Sequence, residues 1–448
     1  MYGTHGCYSS TGRIKEPISA PGRRQEKNGI ASNMNVGNVV SGETNEPGTP
    51  VEAVSTQRKA ATHGFLNGES MKIKNVFDTI FSMDNMYLAL EDASTGRRYN
   101  RDVLIYNFDS WALLQELRSE ILSGTYSIDR YFIFYVYEPK KRMIMSIEFR
   151  HRIVQWAIYR IINPILVNGY IEDSYGCIPG RGSLSAMQRL RYWVIQVSRK
   201  SEQCYYLKLD ISKYFYRISH RILKKILAKK IKDARLLQVL YSIIDCEHTP
   251  FGLPPGRSPG DVPLEERLFD VGMPIGNLLS QVFANIYLDV LDQFCKRELG
   301  IHYYIRYMDD VIILCNDKVQ LREWKDKIEN FLLTELELNL NSKTCIRPIS
   351  QGIEFVGYRI WPEHVVIRKS TSLRIKRALK GMMVKYANYE ITMQDVTSTL
   401  RSYLGMLEHC DSEALVNKIL DGLILTHNKD SEEIYEQSRD YGIAEYNH

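Results

Sequence analysis

Apolar residues change their spacing along this chain, and the changes mark out its elements. In NFDSWALLQELRSEILSG they fall at Trp111, Leu114, Leu117, Ile121 and Leu122, a helical spacing that predicts a helix. Asp109 stands where a cap belongs, and Gly124 lies just past the end. SLSAMQRLRYWVIQVSRK predicts a second helix from Ser183 with a basic face. Tyr205 to Leu209 reads as a strand, with Asp210 at its end and a helix starting after it. In GMPIGNLLSQVFANIYLDVLDQF, Gly272, Pro274 and Gly276 make a tight bend where backbone can approach a ligand. A helix follows, capped by Asn277 or Ser280, with Phe283, Ile286, Tyr287, Val290, Leu291 and Phe294 on its apolar face. YYIRYMDDVIIL shows two β-branched and aromatic runs, hence two strands, with Asp309 and Asp310 at a tight turn between them. Residues 369–425 read as several helices carrying Arg374, Lys376, Arg377 and Lys380.

Residues 1–70 lack this patterning. They are rich in Gly, Asn, Ser and Pro and read as a disordered or weakly ordered tail. TPFGLPPGRSPGDVP marks a long loop or extended hairpin arm at about residues 249–270. A chain of 448 residues exceeds one small domain, so two or three subdomains are expected. Hydrophobic residues at 44% and charged residues at 25% describe an ordinary soluble protein. A net charge of +5 permits a nucleic-acid partner without demanding one. With no apolar run of bilayer length and no apolar signal core at the start, the expectation is a cytoplasmic protein with no membrane partner. The eight scattered cysteines form no Cys-x-x-Cys pair, which argues against a zinc site or disulfide framework.

The two adjacent carboxylates read by themselves as a solvated hairpin turn, where Asp is common. A divalent cation would change that balance by offsetting their repulsion and taking hard oxygen ligands. A third carboxylate, Asp210, ends a buried strand, where an unpaired charge is costly. It could cap the following turn, or pair with Lys208 or Lys213. Taken together, a strand-end Asp and a downstream strand–turn–strand with two more can surround two Mg²⁺ ions. Such ions lie about 3.5–4 Å apart and serve an in-line phosphoryl displacement.

The order LKLDISKYF, GMPIGNLLSQVFANIYL, YIRYMDDVIIL, LNLNSKT and GIEFVGYRI resembles the successive palm motifs of reverse transcriptases. YEPKKRMIMSIEFRHRIVQWA and DSYGCIPGRGSLSAMQRL resemble fingers motifs of the bacterial branch that includes group II intron enzymes. The likeness runs from about Asn75 to Cys410. It implies an α+β right-hand polymerase, an RNA-directed DNA polymerase with fingers, an antiparallel palm sheet and a short helical thumb. Fingers and an N-terminal extension would occupy 71–200, the palm 201–365, and the thumb with a C-terminal tail 366–448.

The same resemblance assigns roles. Asp210, Asp309 and Asp310 match the catalytic, Mg²⁺-binding triad, with Mn²⁺ as a substitute, and the Ile211 carbonyl would assist. Lys141 and Arg142 match residues that hold the triphosphate, or form a solvated charge cluster. Phe215 matches a steric gate against the ribose 2′-hydroxyl, or is a core Phe; Lys343 lies near the nucleotide phosphates, or is a surface charge. GIEFVGYRI would form the primer-grip hairpin. Arg181, Arg189, Arg374, Arg377 and Lys380 are the nucleic-acid-binding candidates.

One departure narrows the subfamily. Most reverse transcriptases carry Gln before the Gly of the bend, whereas here Ile275 precedes Gly276, and the motif ends in Ser280–Gln281. That form resembles the enzymes of diversity-generating retroelements. Those copy a template RNA into cDNA with frequent errors at adenines, and a small basic accessory protein assists them. Ile cannot hydrogen-bond dNTP, so a polar constraint on its geometry would be missing. An antiphage-defence reverse transcriptase shares these motifs. A group II intron maturase is the weaker fit, because no DNA-binding or nuclease module is expected after the last helices. A catalytically silent RNA-binding scaffold is opposed by the complete Asp triad.

Overall fold

The computed structural model describes residues 72–137, 142–246 and 248–427. The expected tail over 1–70, Lys141 and residues 428–448 of the expected C-terminal tail lie outside the described residues.

Four helices come first: α1 (Phe77–Ile80), α2 (Met83–Ser94), α3 (Arg101–Phe108) and α4 (Ser110–Ser123). The signals for α4 act as anticipated. Asp109 accepts from the Ala112 amide at 3.3 Å, and Gly124 closes the helix in the left-handed region. Its buried stripe is narrower than its apolar one, since Leu114, Leu117 and Ile121 are buried while Trp111 and Leu122 are exposed. The antiparallel hairpin β1 (Phe132–Val136) and β2 (Arg142–Ser146) follows, and then α5 (Phe149–Val167), which packs on α2.

A five-stranded sheet forms the centre. In spatial order it runs β3 (Ser174–Tyr175), β5 (Tyr304–Tyr307), β6 (Asp310–Cys315), β4 (Tyr205–Asp210) and β7 (Cys345–Pro348). All pairs are antiparallel except β3 with β5. Strand alternation divides its side chains between two cores. Leu207, Leu209, Val311 and Ile313 join the larger core, whereas Tyr206, Ile305, Ile312 and Leu314 join the second. Two buried faces explain why these strands read as apolar runs. The larger core is filled by α5, α7 (His220–Lys230), α8 (Ala234–Asp245), α9 (Leu278–Gln293) and α10 (Lys318–Leu336). The second core receives α6 (Ser183–Ser198) and the sheet of β8 (Ile353–Phe355), β9 (Tyr358–Ile360) and β10 (Val365–Ile367). Last come α11 (Lys369–Ala387), α12 (Met393–Leu407) and α13 (Glu413–Asp421), with a small core of their own.

Two local expectations are corrected. The helix predicted directly after Asp210 is a three-residue 3₁₀ turn, Tyr214–Tyr216, and α7 begins only at His220. The intervening backbone pairs elsewhere: Ile211 bridges Leu340, and the Met273 and Gly272 amides donate to the Phe215 and Ile218 carbonyls at 2.7 and 2.8 Å. At the start of α9, Asn277 occupies the cap position without a side-chain cap bond, and Ser280 lies inside the helix. Gln155 of α5 caps it instead, its Oε1 accepting from the Leu279 amide at 3.2 Å. That end is buried, so a distant side chain meets the need for an acceptor. Among the described residues no helix is long and apolar enough to cross a membrane.

Candidate active site

The β5–β6 hairpin has a two-residue turn, because Tyr307 pairs with Asp310 and leaves Met308 and Asp309 between them. Met308 takes a positive φ of 53°. Asp210 and Asp310 stand directly opposite across β4 and β6, so their side chains share a face. Lys208, two residues back on β4, lies on that face too. Its Nζ is 3.3 Å from Asp310 Oδ1 and donates to the Glu354 carbonyl at 3.0 Å. The lysine pairing considered for Asp210 thus falls on Asp310, while the Lys213 ammonium donates to the Arg257 carbonyl. Burial, followed by the neighbouring Asp310 and then Asp210, pushes the Asp309 carboxyl above its usual range, and Arg142 partly offsets this.

A cavity of about 390 Å³ opens beside the turn. Arg142, Phe215, Ile275 and Gln281 line it together with Asp309 and Asp310. Four distant segments meet because the bend is braced against β2. The Met145 amide donates to the Ile275 carbonyl at 3.0 Å, and a Cβ on Gly276 would stand 2.8 Å from Ile144 Cγ2. Gly276 has a φ of 113°, so glycine serves both the conformation and the close approach.

The sequence did not single out Cys177, Tyr307, Met308, Val356, Gly357 or Arg368, which also line the cavity. Arg368 has a buried Nε without a partner among the described residues, and its amide donates to the Gly357 carbonyl at 2.9 Å. Its only sequence signal is a basic residue ahead of the basic α11.

Other candidates lie apart. Lys343 lines a separate cavity of about 190 Å³, with Lys208, Arg347, Arg359 and Glu354. Arg181 donates to the Ile171 carbonyl at 2.7 Å, and Arg189 to Asp173 Oδ1 at 2.7 Å, so both are engaged within the protein. Arg374, Arg377 and Lys380 are exposed on α11, away from its buried Ile375 and Leu379. Ile211 is buried, and its bridge to Leu340 uses the Asp210 carbonyl and the Ser212 amide rather than its own carbonyl.

Among the described residues no group of three or more His, Cys, Asp or Glu side chains is gathered tightly enough to hold a metal ion. The donors nonetheless fit a hard divalent cation in kind. They are all oxygens, and the Asp309 pKa is raised first by burial and then by the neighbouring Asp310 and Asp210 carboxylates, a repulsion that a cation would relieve.

Residues 138–360 match the family model for reverse transcriptases, described as RNA-dependent DNA polymerases. The chain carries a reverse transcriptase domain. Protein YkfC of Escherichia coli strain K12 is 27% identical over 287 residues, covering 55% of this chain and 71% of that protein. The group II intron-encoded protein LtrA of Lactococcus lactis is 21% identical over 337 residues, or 60% of this chain and 53% of LtrA. Among solved structures, apo telomerase from Candida tropicalis, truncated from its C-terminal domain, is 16% identical at a TM-score of 0.40, covering 57% of this chain and 60% of that one. The mixed helix–strand architecture around this reverse transcriptase domain is that of a right-hand polymerase, and the domain is that of an RNA-directed DNA polymerase.

Proposed function

We propose that the protein copies a template RNA into cDNA with frequent errors at adenines, as the polymerase of a diversity-generating retroelement. The observation that carries this reading is Ile275, an aliphatic residue in the same cavity as Asp309, Phe215 and Arg142. A polar contact that forms only in correct geometry adds about 1–3 kcal/mol of discrimination, and the Ile275 side chain can offer none. Its carbonyl accepts from the Met145 amide, which fixes the bend and turns the apolar side chain of Ile275 to the cavity where a Gln would bring an amide.

In this reading the β1–β2 hairpin belongs to the fingers, the five-stranded sheet to the palm, and α11–α13 to the thumb. Asp210 and Asp309 would hold the divalent ions, Mg²⁺ by preference, with Asp310 and the Ile211 carbonyl assisting. When bound, the ions activate the primer 3′-hydroxyl and offset charge at the α-phosphate and the leaving pyrophosphate. Arg142 would hold the triphosphate, and the Phe215 ring would close off the space of a 2′-hydroxyl. The exposed Arg374, Arg377 and Lys380 would follow the nucleic-acid backbone. The cDNA strand, the template RNA and a small basic accessory protein are the partners this reading requires.

Ile275→Gln is expected to lower misincorporation opposite template adenines more than it lowers total synthesis. Deep sequencing of cDNA from both proteins on one RNA measures this, and equal error spectra would remove Ile275 as the reason. Asp309→Asn in the same assay is expected to lower synthesis at least about 100-fold, since it removes several kcal/mol of transition-state stabilisation. The likeness to LtrA favours a second reading, an intron maturase, which splicing of a bound intron RNA would reveal.

A further inference from the structure

Arg306 interrupts the apolar run of β5, and its side chain is 0% exposed. Each nitrogen of its guanidinium has a partner. Nε and Nη2 hold Asp292 Oδ1 and Oδ2 at 2.8 and 2.6 Å. Nη2 also donates to Ser174 Oγ at 2.8 Å, and Nη1 donates to Asn285 Oδ1 at 3.1 Å. The remaining bond runs from Nη1 to the Met308 carbonyl at 2.9 Å. Asp292, equally buried, takes a further bond from the Tyr304 hydroxyl at 2.6 Å. One side chain therefore joins α9, β3 and β5 to the turn that carries Asp309.

The Met308 bond differs in kind from the others. Met308 sits in the left-handed region at a φ of 53°, which residues other than glycine adopt at a cost. Its carbonyl belongs to the Met308–Asp309 peptide, so rotation of that peptide would re-aim the Asp309 side chain. A buried ion pair is by itself weak support for stability, because apolar residues of similar volume often replace one without loss. Apolar residues cannot hold a carbonyl in one direction. A charged network of this size, ending on this carbonyl, therefore points to orientation.

We propose that Arg306 is a positioning residue: its bond to the Met308 carbonyl fixes the Met308–Asp309 peptide and so directs the Asp309 carboxylate into the cavity. The inference rests on Asp309 acting in DNA synthesis.

The test compares a triple variant, Arg306→Met with Asp292→Leu and Tyr304→Phe, to the full-length parent. It removes the main polar network as a set while keeping apolar volume. Circular dichroism and thermal melting report folding, and primer extension gives kcat together with KM for dNTP and for primer–template. The folded variant is expected to lose about 10- to 100-fold in kcat, the scale of a small misplacement of a reacting group, with both KM values unchanged. Adding Met308→Gly is expected to restore part of that kcat, because glycine takes the left-handed turn without penalty. If the triple variant does not fold, Arg306→Lys makes the same comparison. It keeps a charge opposite Asp292, but one ammonium cannot also reach the Met308 carbonyl as the guanidinium fork does.

Parental kcat in a folded variant overturns the proposal. So does a fall in kcat matched by a rise in both KM values, which marks general loosening, and so does a missing glycine rescue. Asp309→Asn at the parental rate would overturn the reading of the site and this inference with it. An inactive Asp309→Asn beside a fully active Arg306 variant would overturn the inference alone.

Discussion

Phe215 shows how one residue type supports two readings until its surroundings are known. It is half-buried, it meets Tyr214 edge-on at 5.6 Å, and it also lines the cavity beside Asp309. If its ring excludes a 2′-hydroxyl, Phe215→Ala admits ribonucleotides and leaves folding largely intact. Competition between dNTP and rNTP in primer extension measures this, and an unchanged preference would return Phe215 to the core. Asp309 has a signature in stability as well as in activity. Its pKa is raised in the folded chain by burial and then by Asp310, so the ionised form is less favourable folded than unfolded. Its effect on stability therefore worsens as pH rises above the ordinary carboxylate range. Asp309→Asn removes that charge, and the variant is expected to melt higher than the parent at pH 7 in EDTA while losing synthesis. A lower melting temperature would mean that the carboxylate makes stabilising contacts.

Helix α5 joins a legible pattern to a hidden one. Its apolar periodicity buries Ile153, Val154, Ala157, Ile158 and Ile162, yet it also buries Gln155 and His151. Gln155 caps a helix that begins more than a hundred residues later in the sequence. His151 meets the Tyr126 hydroxyl at 3.1 Å, and burial, with the nearby Arg150 charge, lowers its pKa to about 4. The folded chain then binds fewer protons than the unfolded chain between about pH 4 and 6.5. Stability is full above that window and is lost as pH falls through it, by up to about 3 kcal/mol. Urea unfolding at pH 7 and pH 5 checks the sign, and His151→Gln is expected to flatten the difference. A parent equally stable at both pH values would count against a buried neutral imidazole.

Among the described residues the buried apolar side chains form three cores, and the last of them draws on α11–α13 and what immediately adjoins them. Ile375 is fully buried there beside Leu379, Met382 and Val396. Ile375→Ala is expected to cost about 2–5 kcal/mol, the usual range for such a cavity. Hydrogen exchange should place the loss in α11–α13, with the amides of β4 and β6 keeping their protection. Equal loss throughout would show that the cores unfold as one unit. In primer extension the same variant should weaken template–primer affinity more than the chemical step, since the exposed Arg374 and Arg377 ride on that helix.

The sequence by itself determined the local features of this protein. Apolar β-branched and aromatic runs marked β4, β5 and β6 and placed the turn to within one residue. The turn expected at Asp309–Asp310 lies at Met308–Asp309, with Asp310 already in β6. Helical spacing marked α4, α6 and α9, and the ordered motifs marked the polymerase reading. These follow from side-chain period and turn chemistry, which act over a few residues. Partners across the chain were decided only by the tertiary structure. Lys208 meets Asp310 rather than Asp210, Gln155 rather than Asn277 caps α9, Arg368 enters the cavity, and Lys343 lines another. The physical reason is that a buried charge or amide needs a partner but does not specify which one. That choice depends on which distant segments the packed cores bring within hydrogen-bond reach.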